Sequence, residues 1–168
     1  LKFAGYKLTG KGIINGGIIE ANYHQQIFDT TLTINPKAVN QYFSVKWFGA
    51  SGNNKNDDYT AIQKSINCCI KNNIRTVYLP VGRYKISQPL ILRGVDYNND
   101  RTFCTLEITG ESSFWDSNSG TELYTDFTKT FAIGIQDGKG CKIKKLKLIG
   151  RFVPPFTNNM LKFYNTSF

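Results

Sequence analysis

The chain has 168 residues, a formal net charge of +9 and a pI near 9.4; 40% of its residues are hydrophobic, 14% aromatic and 20% charged. That is enough apolar material for one packed domain or part of a larger one, and the Phe and Tyr content favours strands over helices. No apolar run approaches the roughly 20 residues that a membrane-spanning helix requires.

The basic excess suits an acidic partner: nucleic acid, an anionic surface or a polyanionic polysaccharide. No RNA-binding signature or Lys/Arg-rich helix is present, which disfavours nucleic acid. The four cysteines, Cys68, Cys69, Cys104 and Cys141, show no C-x-x-C spacing. They read as buried thiols, with a Cys104–Cys141 bridge between neighbouring layers as the alternative. The chain begins at Leu1 rather than Met and shows no signal-peptide pattern, so it reads as a piece of a longer protein.

In chain order, the first 45 residues hold short apolar runs cut by glycine. Ile13, Ile14, Ile18 and Ile19 surround a turn at Asn15–Gly17, and Ile27, Leu32 and Ile34 follow. Strands of about four to six residues are expected there. From Ala61 the period changes. Ile62, Ile66, Cys69 and Ile70 fall on one face of a helix expected over 58–71 and ending near Asn72–Asn73. Short strands follow around Val77, Leu79, Tyr84, Ile86, Leu90 and Leu92, punctuated by Pro80, Gly82, Pro89 and Gly94. After a polar loop, "VDYNNDR", more strands are expected in "FCTLEITG", "TELYT", "FAIGIQDGKG" and "CKIKKLKLIG". Similar apolar rhythms start at 77, 106, 132 and 160, which are 29, 26 and 28 residues apart. Such a period of short strands points to a solenoid, whose coils bury their apolar faces only by stacking.

The segment "WFGASGNNKNDDYTAIQKSINCCIKNNIRTVYLPVGRYKIS", residues 47–87, resembles the N-terminal signature of the pectate-lyase-like superfamily. The resemblance lies in Trp47-Phe48-Gly49-Ala50, Gly52, Asp57-Asp58, Ala61-Ile62-Gln63-Lys64 and Thr76-Val77-Tyr78-Leu79-Pro80 with Gly82 and Tyr84. It implies an all-β right-handed parallel β-helix whose first coils are closed by an amphipathic capping helix. Pectate lyases, polygalacturonases, epimerases and phage tailspikes share this architecture, so the resemblance speaks to fold before function. The expected organisation is a strand-rich leader over 1–45, then the cap and first coils over 46–168 of a longer chain.

Asp57 and Asp58 lack the calcium-loop order D-x-[DN]-x-[DN]-G, and adjacent acids at a helix start point in different directions. The reading is helix capping by Asn56 or Asp57, worth roughly 1 kcal/mol. "FGASGNNK" lacks the phosphate-loop order. His24, the lone histidine, lies in the turn-like "NYHQQ". The polygalacturonase motifs of the resembled superfamily are absent, and no carboxylate pair stands out for glycoside hydrolysis. Candidate binding residues are the basic run Lys142, Lys144, Lys145, Lys147 and Arg151, and the loop aromatic Trp115. Lys142 and Lys144 alternate with inward Cys141 and Ile143, and an offset at Lys144–Lys145 reads as a bend between two sheets. These cations suit an anionic glycan; a solvated, aggregation-resistant face is the competing reading.

Two functions remain open from sequence. The first is the N-terminal part of an extracellular lyase or glycoside hydrolase of acidic polysaccharide, this part lacking the full active site. The second is a non-catalytic module of a phage tailspike, tail fibre or glycan-binding adhesin, at the cell surface or on a virion, with a homotrimer implied in the tailspike case. No cofactor and no metal are expected.

Overall fold

The computed structural model describes residues 2–3, 5–15, 17–29, 32–35, 41–94, 96–97, 100–101, 104–113, 119–125, 127, 131–150 and 161–164. The first 45 residues hold β1 (Lys2–Phe3), β2 (Ile13–Asn15), β3 (Glu20–Ala21) and β4 (Thr33–Asn35). These strands are shorter than expected. They also pair in parallel, β1 with β3 and β2 with β4. β2 and β3, on either side of the glycine pair that follows Asn15, therefore do not form a hairpin with each other, and Gly17 sits at φ 95°. Ile27 and Phe28 are fully buried, and Phe28 packs against Phe48 with ring centroids 5.5 Å apart.

Next come β5 (Tyr42–Ser44), a 3-10 turn over Val45–Phe48, β6 (Asn53–Asp57) and α1 (Tyr59–Lys71). They lead into β7 (Thr76–Leu79), β8 (Gly82–Ile86) and β9 (Leu90–Arg93). The polar loop expected at "VDYNNDR" carries a small antiparallel pair, β10 (Asp96–Tyr97) with β11 (Asp100–Arg101). The remaining strands are β12 (Glu107–Gly110), β13 (Thr121–Thr125), β14 (Ile133–Gln136), β15 (Lys142–Lys144), β16 (Lys147–Gly150) and β17 (Leu161–Tyr164).

Three parallel sheets run through the molecule, ordered β15-β12-β7-β5, β16-β13-β8-β6 and β17-β14-β9. β7–β9, β12–β14 and β15–β17 each give one strand to each sheet, while β5 and β6 join only the first two, so the fold is all-β and β-helix-like with one helix. Inward side chains stack coil on coil. Phe43 lies over Val77, Val77 over Ile108 and Ile108 over Ile143, while Tyr84 lies over Leu123 and Leu123 over Leu148. Phe43, Val77, Tyr84 and Leu123 are all fully buried.

The rhythm read from sequence matches this stacking in part. The runs at 77 and 106 do share a sheet, but Val77 pairs with Ile108, not Leu106. The runs at 132 and 160 share the third sheet, with Ile133 beside Leu161. The runs at 106 and 132 lie in different sheets. Connections of unequal length separate stacked strands, so a constant repeat does not exist to be read.

The helix forms where its apolar period lies. Ile62 and Ile66 are buried against the 3-10 turn, β5, β7 and β9. It ends as expected: Asn73 takes the left-handed conformation at φ 55°, and Ile74 N donates to Cys69 O at 2.9 Å. Among the described residues the third sheet has no strand beyond β9; the helix lies there instead. Gln63 covers the exposed backbone of β9, with Ile91 N donating to Gln63 Oε1 at 2.9 Å and Gln63 Nε2 donating to Ile91 O at 2.9 Å. The opposite side of the same strand pairs normally, Leu90 N donating to Ala132 O.

The bend after β15 is as the sequence implied. Lys145 sits at φ 49° between β15 and β16. Its carbonyl presses on the coil beneath, so a Cβ at Gly110 would lie 1.9 Å from Lys145 O. Only glycine fits at that crossing.

Candidate functional site

Strand alternation that buries Phe43, Val77 and Ile108 turns their neighbours outward. On the outer face of the first sheet, Tyr42 registers with Thr76, Thr76 with Glu107 and Glu107 with Lys142; one pleat along, Tyr78 registers with Thr109 and Thr109 with Lys144. The face thus passes from aromatic to hydroxyl to charged side chains across four strands. At its aromatic end is an open groove of about 350 Å³ lined by Tyr23, Gln41, Tyr42, Thr76, Tyr78 and Thr109. Tyr23 reaches it from the segment after β3, held by Ser44 Oγ donating to Tyr23 O and by Trp47 Nε1 donating to Asn22 O at 3.0 Å.

The tyrosines brace one another. Tyr23 meets Tyr78 edge-on at 90° with centroids 5.5 Å apart, and Tyr42 lies 5.6 Å from Tyr78. Partial burial, then the nearby Glu111 carboxylate, push the Tyr78 hydroxyl up to about 12. Glu111 is itself anchored, accepting from Val81 N at 2.9 Å. At the other end of the face, Lys144 Nζ lies 2.8 Å from Glu107 Oε2. Lys142 is exposed and makes no ion pair among the described residues.

The basic run does not form one cluster. Lys142 and Lys144 share the first-sheet face, Lys145 is consumed by the bend, and Lys147 lies on the second sheet. There Glu122 is only 4% exposed and lies between two cations, Arg83 at 3.4 Å and Lys147 at 3.3 Å. The Arg83 guanidinium also covers the Tyr124 ring at 4.8 Å. Lys147 is therefore tied into a coil-to-coil ion ladder. Arg151 and Trp115, the remaining candidates, lie outside the described residues.

The adjacent acids do different work. Asp57 Oδ1 accepts from Tyr59 N at 3.1 Å at the helix start, and also from Ser87 N at 3.1 Å. Asp58 occupies the cap position without a side-chain cap bond. Its buried carboxylate turns back to the glycine loop, accepting from Ser51 N at 2.6 Å, Ser51 Oγ at 2.9 Å and Gly52 N at 2.9 Å. Lys46 lies nearby; burial holds its pKa below the usual lysine value and Asp58 opposes that shift.

His24 is exposed in a turn, as its sequence context implied. None of the four cysteines is in a disulfide. Cys104 and Cys141 lie side by side on neighbouring coils, Cys141 Sγ donating to Cys104 O at 3.0 Å. It is the neighbouring Cys104 thiol, able to donate to a Cys141 thiolate, that draws the Cys141 thiol below its usual value, against the effect of burial. Among the described residues no group of three or more His, Cys, Asp or Glu side chains gathers as a metal-ion cluster.

Sequence reasoning missed the tyrosine groove. The alternation in "TVYL" marks Tyr78 as outward, which was the available signal. Nothing local marks Tyr23, which arrives through the contacts of Asn22 and Tyr23 with Trp47 and Ser44.

A family model for rhamnogalacturonase A/epimerase, pectate lyase-like proteins matches residues 42–138, more than half of the chain. The chain belongs to this family. The matched span runs from β5 through β14 and so includes the capping helix and the first two coils with all three strands. A curated relative, alginate lyase 7 of Azotobacter vinelandii, is 49% identical over 45 residues, covering 27% of this chain and 5% of the relative. No solved structure matches the chain. No helix among the described residues is long and apolar enough to cross a membrane.

Proposed function

We propose that this pectate-lyase-like chain is the N-terminal part of a right-handed parallel β-helix protein that acts on acidic polysaccharide outside the cell. Residues 1–45 form its leader and 46–168 its cap and first coils. Membership of the family over residues 42–138 carries the reading. The similarity to an alginate lyase supports a uronate-containing substrate, as does the net charge of +9.

In this reading the part described here binds glycan and the bond-breaking groups come from elsewhere in the protein. Two observations support that division. The outward strand carboxylates Glu107 and Glu122 are each tied to cations. Lys142 and Lys144 stand on an outer sheet face, where a polyanion has access.

The test uses the full-length protein against alginate, polygalacturonate and rhamnogalacturonan. Ultraviolet absorbance of unsaturated uronate reports lyase cleavage, and new reducing ends without it report hydrolysis. Binding without cleavage, together with a trimer in light scattering, would favour the tailspike or adhesin reading. Neither binding nor cleavage of any of the three would overturn the proposal.

A further inference from the structure

We propose that the groove between Tyr23, Tyr42 and Tyr78 is a sugar subsite that takes a uronate ring, with the glycan running on across the first sheet towards Lys144 and Lys142. The proposal rests on the polysaccharide reading above and assigns it a place and a ligand class.

The groove's volume of about 350 Å³ lies at the lower end of the range for small-ligand pockets, the scale of one or two sugar rings. Its walls combine what a pyranose presents. The rings of Tyr42 and Tyr78 offer flat apolar surface to the axial C–H groups, and Thr76, Thr109 and Gln41 offer hydrogen-bonding groups to its hydroxyls. The mutual contacts of the three tyrosines hold the rings in place before any ligand arrives, which reduces the ordering cost of binding.

Charge chooses the ligand class. Thr109 lines the groove and is the register partner of Lys144 on the adjacent strand, about 5 Å away by sheet geometry. Lys142 registers with Glu107 on the same face. A chain crossing the strands from the tyrosines therefore meets ammonium groups within a few sugar residues. Glu107 is neutralised by Lys144 at 2.8 Å, which leaves the far end of the face net positive through Lys142. A neutral glycan would gain nothing from this end, whereas a uronate gains a charge-assisted contact.

The experiment titrates the protein with an alginate hexasaccharide, an oligogalacturonate and a neutral cello-oligosaccharide, reading affinity by calorimetry and tyrosine ring protons by NMR. The expected result is ring-proton perturbation at Tyr23, Tyr42 and Tyr78 of the unmodified protein by at least one of the uronate probes. Tyr78→Ala and Tyr42→Ala should each weaken that binding about tenfold. Tyr78→Phe should stay within about twofold, since the ring remains. Lys142→Ala should weaken uronate binding and flatten its salt dependence. Melting curves identify any variant that has lost its fold, and the ring-proton readout needs no variant.

Uronate binding that leaves the tyrosine rings unperturbed and survives both alanine substitutions overturns the subsite while the polysaccharide reading stands. Equal affinity for the neutral probe overturns the uronate assignment. No binding of any probe by the unmodified protein overturns the subsite; only failure of the full-length protein on all three polymers overturns the broader reading.

Discussion

The side-chain amide of Gln63 makes two hydrogen bonds with the backbone of Ile91, both 2.9 Å long, one accepted and one donated. A primary amide has the same donor and acceptor as a peptide group. Gln63 thus takes the place of a neighbouring strand that, among the described residues, the third sheet lacks at this end, and protects an edge that would otherwise invite pairing with another chain. Gln63→Ala should lower stability by about 2 kcal/mol in urea denaturation, from two lost bonds and an uncovered strand edge.

Gln63→Glu makes a sharper test of the same relationship. A carboxylate cannot donate to Ile91 O, but a protonated carboxyl can. The neutral form is favoured in the folded state, so the pKa of the new side chain should rise above the unfolded value of about 4.3. Stability should be regained below that value and lost as pH rises through the folded pKa. A Gln63→Glu variant whose deficit is unchanged between acidic and neutral pH would count against the edge-capping role.

Asp57 and Asp58 should differ in importance, although they are neighbours of the same type. Asp58→Ala leaves Ser51 N and Gly52 N without their carboxylate partner in a buried position and should cost about 2–3 kcal/mol. Asp57→Ala removes exposed bonds to Tyr59 N and Ser87 and should cost about 1 kcal/mol. Denaturation midpoints measure both. Neither substitution should change glycan affinity per folded molecule, because neither residue lies on the first-sheet face.

Cys68 predicts alkaline sensitivity. Burial, only partly offset by Asn72 and two lysines, raises its thiol from 9.0 to about 12. Below pH 9 the thiol is neutral in both folded and unfolded chains. Between pH 9 and about 12 the unfolded chain releases the proton and the folded one does not, so stability is lost as pH rises through that window. Lys46 acts with the opposite sign below its usual 10.5, since burial disfavours its charged form. The melting temperature of the parent protein should therefore fall more steeply above pH 9 than that of Cys68→Ala.

Gly110 is a packing requirement rather than a flexible point. Its Cβ would meet Lys145 O at 1.9 Å and the Thr121 Cβ at 2.8 Å, one atom on the next coil and one beyond the following corner. Gly110→Ala should cost about 3 kcal/mol or prevent folding, read from the melting temperature and the yield of soluble protein. Gly140→Ala is a useful contrast, because a Cβ there meets nothing within 4 Å and only its φ of 71° resists the change.

The amino-acid sequence by itself determined the elements whose signals are local. The 3.6-residue period of Ile62, Ile66 and Ile70 produced the helix, and Asn73 ended it. Alternation in "TVYL" and "KIK" decided which side chains face inward, and the family signature over 47–87 placed them in a β-helix-like stack. The tertiary structure alone decided which outward residues share a surface. Stacked strands are separated by connections of different length, so register follows from how each coil packs on the last. That packing put Lys142 and Lys144 on one sheet and Lys147 on another, although they lie within six consecutive residues. It also brought Tyr23 to Tyr42 and Tyr78, creating a groove that no short stretch of sequence encodes.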